Sequence, residues 1–280
     1  MDDFRAASLQ GWARVAPDWG QLTERVDEQL RPASDWMLAA VQLKPGERVL
    51  ELAGGPGTVS LLAARAVGPE GQVIYTDFAE PMIDAGRQRL AREGAANVEA
   101  RVMDAEAIEL PDGAVDVVLC RMGYMFTADP AATFRETARV LVPGGRLALA
   151  VWSDAASNPW VSLPMQAIMQ QLDAPPPPPG APGVFALADA QRLRGLLEQA
   201  GLEPAAIETV DGEVRYDSLE NWFELTQRLA GPVRALLASV EEAVLEKISQ
   251  SWRERAASYA QSDGSYALPD RMLLASARRA

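Results

Sequence analysis

The chain has 280 residues, with 26 Lys or Arg, 39 Asp or Glu, no His and a formal net charge of -13. Such a surface repels polyanions and argues against a nucleic-acid partner, while the missing imidazole removes Ser-His-Asp chemistry, histidine general bases and most zinc or non-haem iron sites. Cys120 is the single cysteine, which excludes an intrachain disulfide and a thiolate metal site; no metal is expected.

In chain order, residues 4–42 read as helices, because Leu22, Val26 and Leu30, then Trp36, Met37, Ala40 and Val41, recur at helical spacing. The N-terminus shows no basic stretch followed by an apolar run, so no signal peptide is read. No apolar run reaches the roughly 18 residues of a membrane span; a cytoplasmic protein without a membrane partner is expected. Lys44-Pro45-Gly46 ends the helical segment in a turn. Strands over 48–52, 72–76, 98–103, 115–120 and 146–152 then alternate with helices over 58–67, 80–93 and 130–141. This alternation predicts an α/β fold: a doubly wound, mostly parallel sheet with helices on both faces. Beyond Trp152 come a short apolar helix over 163–172, five prolines at 175–179 read as a semi-rigid surface connection, a helix over 187–199 and a strand over 205–214. Helices over 218–229 and 233–252 follow, the second with a stripe of Val233, Leu237, Val240, Val244, Ile248 and Trp252 for the core or a subunit interface. Residues 266–277 are strand-like.

The chemistry is concentrated in Val49-Leu50-Glu51-Leu52-Ala53-Gly54-Gly55-Pro56-Gly57-Thr58. An apolar strand ending in an acid, a glycine-rich turn and a helix start place backbone N–H groups against a ligand at the carboxyl end of a parallel strand. Asp77 ends the next strand, where a carboxylate can take both hydroxyls of a ribose. Asp104 ends the third, where a carboxylate can accept from an exocyclic adenine amine. Cys120-Arg121-Met122-Gly123-Tyr124 follows the fourth, at the lip of the crevice. A diphosphate would need helix N–H donors, whereas carboxylates around the turn suit a cationic nucleoside. Structural alternatives stand beside these readings: Asp77 capping the helix near Glu80, Asp104 as a turn residue, Glu106 as a solvated or capping residue, and Cys120 as packing.

With Tyr75-Thr76-Asp77-Phe78-Ala79-Glu80-Pro81-Met82, Asp104-Ala105-Glu106 and Val140-Leu141-Val142-Pro143-Gly144-Gly145-Arg146-Leu147, these residues resemble the class I S-adenosylmethionine-dependent methyltransferases. They look most like the small-molecule group related to the ubiquinone/menaquinone C-methyltransferases. The resemblance spans about residues 46–152, with Ala53 standing where the family has its first glycine. It implies a Rossmann-like seven-stranded sheet, S-adenosyl-L-methionine as methyl donor and S-adenosyl-L-homocysteine as product. It further implies Gly54, Gly55 and Gly57 along the methionine moiety and Glu51 holding the turn or reaching the amino group through water. Asp77 would bind the ribose, Phe78 and Met82 would pack the adenine, Asp104 with the Ala105 backbone would read its edge, and the backbone of Cys120 and Arg121 would approach the methionine amine.

The expected organisation is an N-terminal helical lid (1–43), a cofactor-binding core (44–152), a connection, helix and strand completing that core (153–216), a helical cap over the acceptor (217–262) and a C-terminal strand (263–280). Trp12 and Trp19 either pack the N-terminal helices or cover a sulfonium. Arg121, Tyr124, Trp152 and Trp160 lie near the expected acceptor pocket, and Tyr124 and Asp154 are the candidate general bases. The expected reaction is in-line methyl transfer, driven by proximity, to an O, N or C atom of a small apolar or aromatic metabolite. The candidate assembly is a homodimer. The rival readings are a non-catalytic cofactor-binding partner subunit and an NAD-dependent oxidoreductase, whose motif the Ala53–Gly57 turn fits poorly because of Pro56.

Overall fold

The strands form one seven-stranded sheet in a computed structural model that describes residues 2–175, 177–178 and 180–280. They are β1 (Arg48–Glu51), β2 (Gln72–Asp77), β3 (Val98–Val102), β4 (Val115–Arg121), β5 (Leu141–Trp152), β6 (Leu202–Tyr216) and β7 (Tyr266–Arg279), in the order β3-β2-β1-β4-β5-β7-β6. The first five are parallel, and β7 inserts antiparallel between β5 and β6. Val49, Leu50, Val117, Val118, Leu119 and Leu147–Val151 are fully buried, as continuous apolar runs require when helices cover both faces.

The helices are α1 (Asp2–Gln21), α2 (Thr23–Val41), α3 (Thr58–Val67), α4 (Glu80–Arg92), α5 (Pro130–Val140), α6 (Pro159–Gln171), α7 (Ala190–Gln199), α8 (Leu219–Leu229), α9 (Gly231–Leu237) and α10 (Glu242–Ala256). The chain steps from β1 through β2 to β3 in one direction and from β4 to β5 in the other. Right-handed crossovers therefore put α3 and α4 on one face and α5 on the opposite face. The reversal between β1 and β4 opens a crevice at the carboxyl ends of the strands, where ligands bind in such sheets. Starts are set locally: Asp129 accepts from Ala132 N, Asp189 from Gln191 N and Arg192 N, and Ser218 from Asn221 N.

Two large apolar cores result. The larger surrounds the sheet, with Met37, Leu50, Leu119, Phe134 and Leu274 at its centre. The second joins α6, α8, α9 and α10 to the projecting ends of β6 and β7, through Ile168, Tyr216, Trp222, Ile248, Trp252 and Leu268. Trp222 stacks on Tyr216 with centroids 5.1 Å apart and meets Trp252 edge-on at 5.2 Å. Thus α6, sequence-wise part of the connecting stretch, packs with the cap. The expected single helix over 233–252 is two helices, α9 and α10. The Ser239 hydroxyl donates to Leu236 O at 2.7 Å, Ser239 N takes the same carbonyl, and Glu241 is extended, so the backbone leaves the helix there. Of the proline run, Pro176 and Pro179 lie outside the described residues.

Candidate cofactor and acceptor site

The turn after β1 is held from every side. Gly54 N donates to Thr76 O at 2.8 Å, and Gly57 N to Gly54 O at 2.9 Å. A Cβ on Gly54 would stand 2.7 Å from the Tyr75 ring, so no larger residue fits. Gly55 and Gly57 have φ of 51° and 78°, where glycine carries no steric cost. Ala53 also has positive φ, 52°, a strain of about 1–2 kcal/mol for an L-residue. Its methyl group has a place because position 123 is glycine: a Cβ on Gly123 would collide with the Ala53 methyl and the Cys120 sulfur. The departure from the family pattern at Ala53 is therefore accommodated across the crevice.

Carboxylates end β1 and β2, and a third, Asp104, stands two residues past β3. Glu51 is buried and accepts from Ser60 N at 2.7 Å and from the Ser60 hydroxyl, pinning the first turn of α3. Burial pushes its pKa up to about 7, against the lowering effects of Ser60 and of the nearby Arg121 charge. These bonds give Glu51 a turn-holding role. Asp77 accepts from Gly55 N at 3.0 Å and Ala79 N at 2.9 Å, and burial raises its pKa to about 6. It braces the turn from β2 and starts α4 together. Asp104 Oδ1 accepts from Glu106 N at 2.8 Å, while Oδ2 accepts from the Arg5 guanidinium of α1. Glu106 accepts from Ala128 N and Asp129 N, so it orders the approach to α5.

Beside these, Phe78 and Ala105 are half-buried, and Met82 is buried against Val15, Ala16 and Ala79, with Trp12 and Trp19 alongside. Trp19 reaches the turn, its ring 4.0 Å from where a Gly55 side chain would begin. Trp12 meets Trp19 edge-on at 5.9 Å and Phe126 at 5.0 Å. At the end of β5, Trp152 and Trp160 meet edge-on at 4.9 Å.

Three expectations are corrected. The Tyr124 side chain does not face an acceptor: it is fully buried, stacks on Phe134 at 4.8 Å and shares a 2.6 Å hydrogen bond with Thr137. Burial raises its pKa well above the ordinary value, so it cannot serve as a base near neutrality. Asp154 is a turn-former, accepting from Ser153, Ala156 N, Ser157 N and Ser157 Oγ, and these bonds lower its pKa. The Arg121 side chain is tied into a polar network. It donates to Ser34 at 2.9 Å and to Asp27 at 3.2 Å, and Asp27 also receives Arg89 at 2.9 Å and Thr58 at 2.6 Å. Cys120, by contrast, is the packing residue expected of it: it is buried, with its pKa raised to about 12 by burial, and only its backbone is available to a ligand.

Sequence reasoning missed Tyr75 and Arg5. The Tyr75 hydroxyl sits beneath the turn, its one proton shared between Gly55 O and Met82 O. A clue was present in Gly86, four residues past Met82, which has no room for a side chain beside that hydroxyl. Among the described residues no group of three or more His, Cys, Asp and Glu is placed to hold a metal ion. No described helix is long and apolar enough to cross a membrane.

Comparison with known proteins points to one family. The family described as a methyltransferase domain matches residues 49–145. A ubiquinone/menaquinone biosynthesis C-methyltransferase of Teredinibacter turnerae is 31% identical over 179 residues, covering 59% of this chain and 72% of that protein. The enzyme of the same name from Xanthomonas campestris pv. campestris is 36% identical over 124 residues, covering 44% of this chain and 49% of that protein, about half its length. The fold matches a candidate methyltransferase from Bacillus halodurans with a TM-score of 0.62 at 20% identity, over 88% of this chain and 98% of that one. The oxidoreductase alternative falls. The glycine turn, the acids at or just past the ends of β1–β3 and these likenesses together establish that the chain belongs to the class I S-adenosylmethionine-dependent methyltransferases.

Proposed function

We propose that S-adenosylmethionine lies across the Glu51–Thr58 turn and that its methyl group passes to a small, apolar, aromatic acceptor held between α1 and the start of the cap. Gly54, Gly55 and Gly57 would line the methionine moiety. Asp77 would bind the ribose, Phe78 and Met82 would flank the adenine, and Asp104 with the Ala105 backbone would take its edge. The backbone of Cys120 and Arg121 would meet the methionine amine. The observation that carries the reading is the glycine cradle, in which Gly54 has no space for a Cβ and Gly55 and Gly57 hold positive φ, with carboxylates at the ends of β1 and β2 and just beyond β3. A sulfonium and an ammonium are stabilised there, and a phosphate is not.

The acceptor side is argued from its chemistry. Trp12, Trp19 and Phe126 form one aromatic cluster, and Trp152 and Trp160 form another at the end of β5. Such surfaces favour a flat, apolar ring. Because Tyr124 and Asp154 are unsuited to proton abstraction and the chain has no histidine, the acceptor must arrive electron-rich. The acceptor atom attacks the methyl carbon, the sulfur–methyl bond breaks in line, S-adenosylhomocysteine leaves, and any proton lost by the acceptor passes to water. Proximity and a dry site supply the rate. The names of the curated relatives, which describe C-methylation in ubiquinone and menaquinone biosynthesis, support carbon of an aromatic ring as the acceptor atom.

The test is transfer of a labelled methyl group to a panel of hydroquinones, phenols and small polar amines. Label on the aromatic members is expected. Label confined to the polar amines would reject the acceptor assignment, and absence of S-adenosylhomocysteine binding by calorimetry would reject the cofactor site.

A further inference from the structure

Helix α1 bridges the two halves of the molecule. At its start, the Arg5 guanidinium lies on Asp104 and 3.7 Å from Glu106. Along its middle, Val15 and Ala16, flanked by Trp12 and Trp19, pack on Ala79 and Met82. Toward its end, Asp18 accepts from Arg228 of α8 at 2.7 Å and Arg234 of α9 at 2.9 Å, and the Trp19 indole donates to Leu229 O at 3.0 Å. Gly11 and Gly231 approach so closely that a Cβ on Gly231 would collide with the Gly11 carbonyl.

We propose that α1 is a built-in competitor for the adenine end of the cofactor site, with Arg5 as its recognising group, and that cofactor entry displaces it. The inference rests on the reading of Asp104 and Met82 as adenine-binding residues. Oδ1 of Asp104 accepts from Glu106 N and Oδ2 from the Arg5 guanidinium, so an exocyclic amine approaching this carboxylate competes with the guanidinium for it. The hydrophobic partner on the same side, Met82, is covered by α1 as well. A lid that merely retained the cofactor would close over its outer face and leave these two groups free; α1 instead uses them itself. The ion pair is only partly buried, with side chains 35% and 25% exposed, and pairs of that kind are weak enough for a ligand to displace. Because Asp18 clasps α1 to α8 and α9, its release also loosens the cap. Cofactor entry thereby opens the acceptor side, and the cofactor binds first.

The competitor and the retaining lid predict opposite signs. Calorimetry with S-adenosylhomocysteine should give binding about two- to five-fold tighter in Arg5→Gln than in the wild type, and tighter in Asp18→Asn, which leaves Asp104 untouched. In the wild-type protein, the ligand should reduce amide hydrogen-exchange protection over residues 5–20. Equal or weaker binding by Arg5→Gln, or increased protection of α1, would overturn the competition while leaving the cofactor site standing. Absence of binding by the wild type would overturn the cofactor reading and this inference with it.

Discussion

The ends of β1, β2 and β3 and the helical cap are built on opposite principles. Around the turn, positions are set by backbone hydrogen bonds, by glycines that leave no side chain in the way, and by the carboxylates Glu51 and Asp77, buried at 1% and 9% exposure. In the cap, α6, α8, α9 and α10 are joined by apolar contacts around Trp222, whose indole N–H donates to Trp160 O at 2.9 Å. Burying a carboxylate costs stability, whereas burying Trp222 and Trp252 supplies it. The difference teaches that the turn region, with its buried carboxylates, is maintained at the expense of stability contributed elsewhere.

The sharpest way to break this contrast is Trp222→Ala. Removing a fully buried indole should cost about 3–5 kcal/mol in urea unfolding while leaving S-adenosylhomocysteine affinity within about twofold. If the folded variant loses binding altogether, the two halves act as one unit. Next comes pH. Glu51 and Asp77 have native pKa values of about 7 and 6, above their ordinary values. The native state therefore binds more protons than the unfolded state between about pH 4 and 7, so stability falls as pH rises through that window and the penalty is complete above it. For Glu51 this amounts to about 3 kcal/mol. Glu51→Gln should flatten the decline in denaturant midpoint between pH 5 and pH 8; an unchanged slope would remove Glu51 as its source. Affinity for the cationic donor should move the other way, rising by up to about tenfold across the same window as the carboxylates ionise.

Asp77→Ala should lose about 1–3 kcal/mol of S-adenosylhomocysteine affinity by calorimetry, with circular dichroism unchanged. Full affinity in that variant would leave Asp77 only the bracing role seen toward Gly55 and Ala79. The smallest effect is expected for Tyr124→Phe, which removes the bond to Thr137. About 1 kcal/mol of stability should go, with turnover per folded molecule unchanged. A turnover loss far beyond that would return Tyr124 to the reaction.

The parallel half of the sheet was legible because its signals are local. Strand β1, the glycine turn and α3 follow one another within residues 48–67, and the helix over 58–67 is read with the bounds it adopts. The split between α9 and α10 was not legible, because the apolar stripe runs through Ser239 without a break in spacing and the hydroxyl bond to Leu236 O decides the matter. Tyr124 looked available because it follows a strand end, where ligands collect. Its burial depends on Phe134 and Thr137, contributed by a helix that the tripeptide around it does not describe.

The residue order alone determined the alternation of strands and helices, the glycine cradle, the acids at or just past the ends of β1, β2 and β3 and the chemistry that needs no imidazole, since periodicity, turn composition and strand ends are written within short windows. Tertiary structure decided which of those groups remain free. Arg5 meets Asp104 across 99 positions and Arg228 meets Asp18 across 210. Pairings of that range depend on how the whole chain packs, and no local pattern in either partner encodes them.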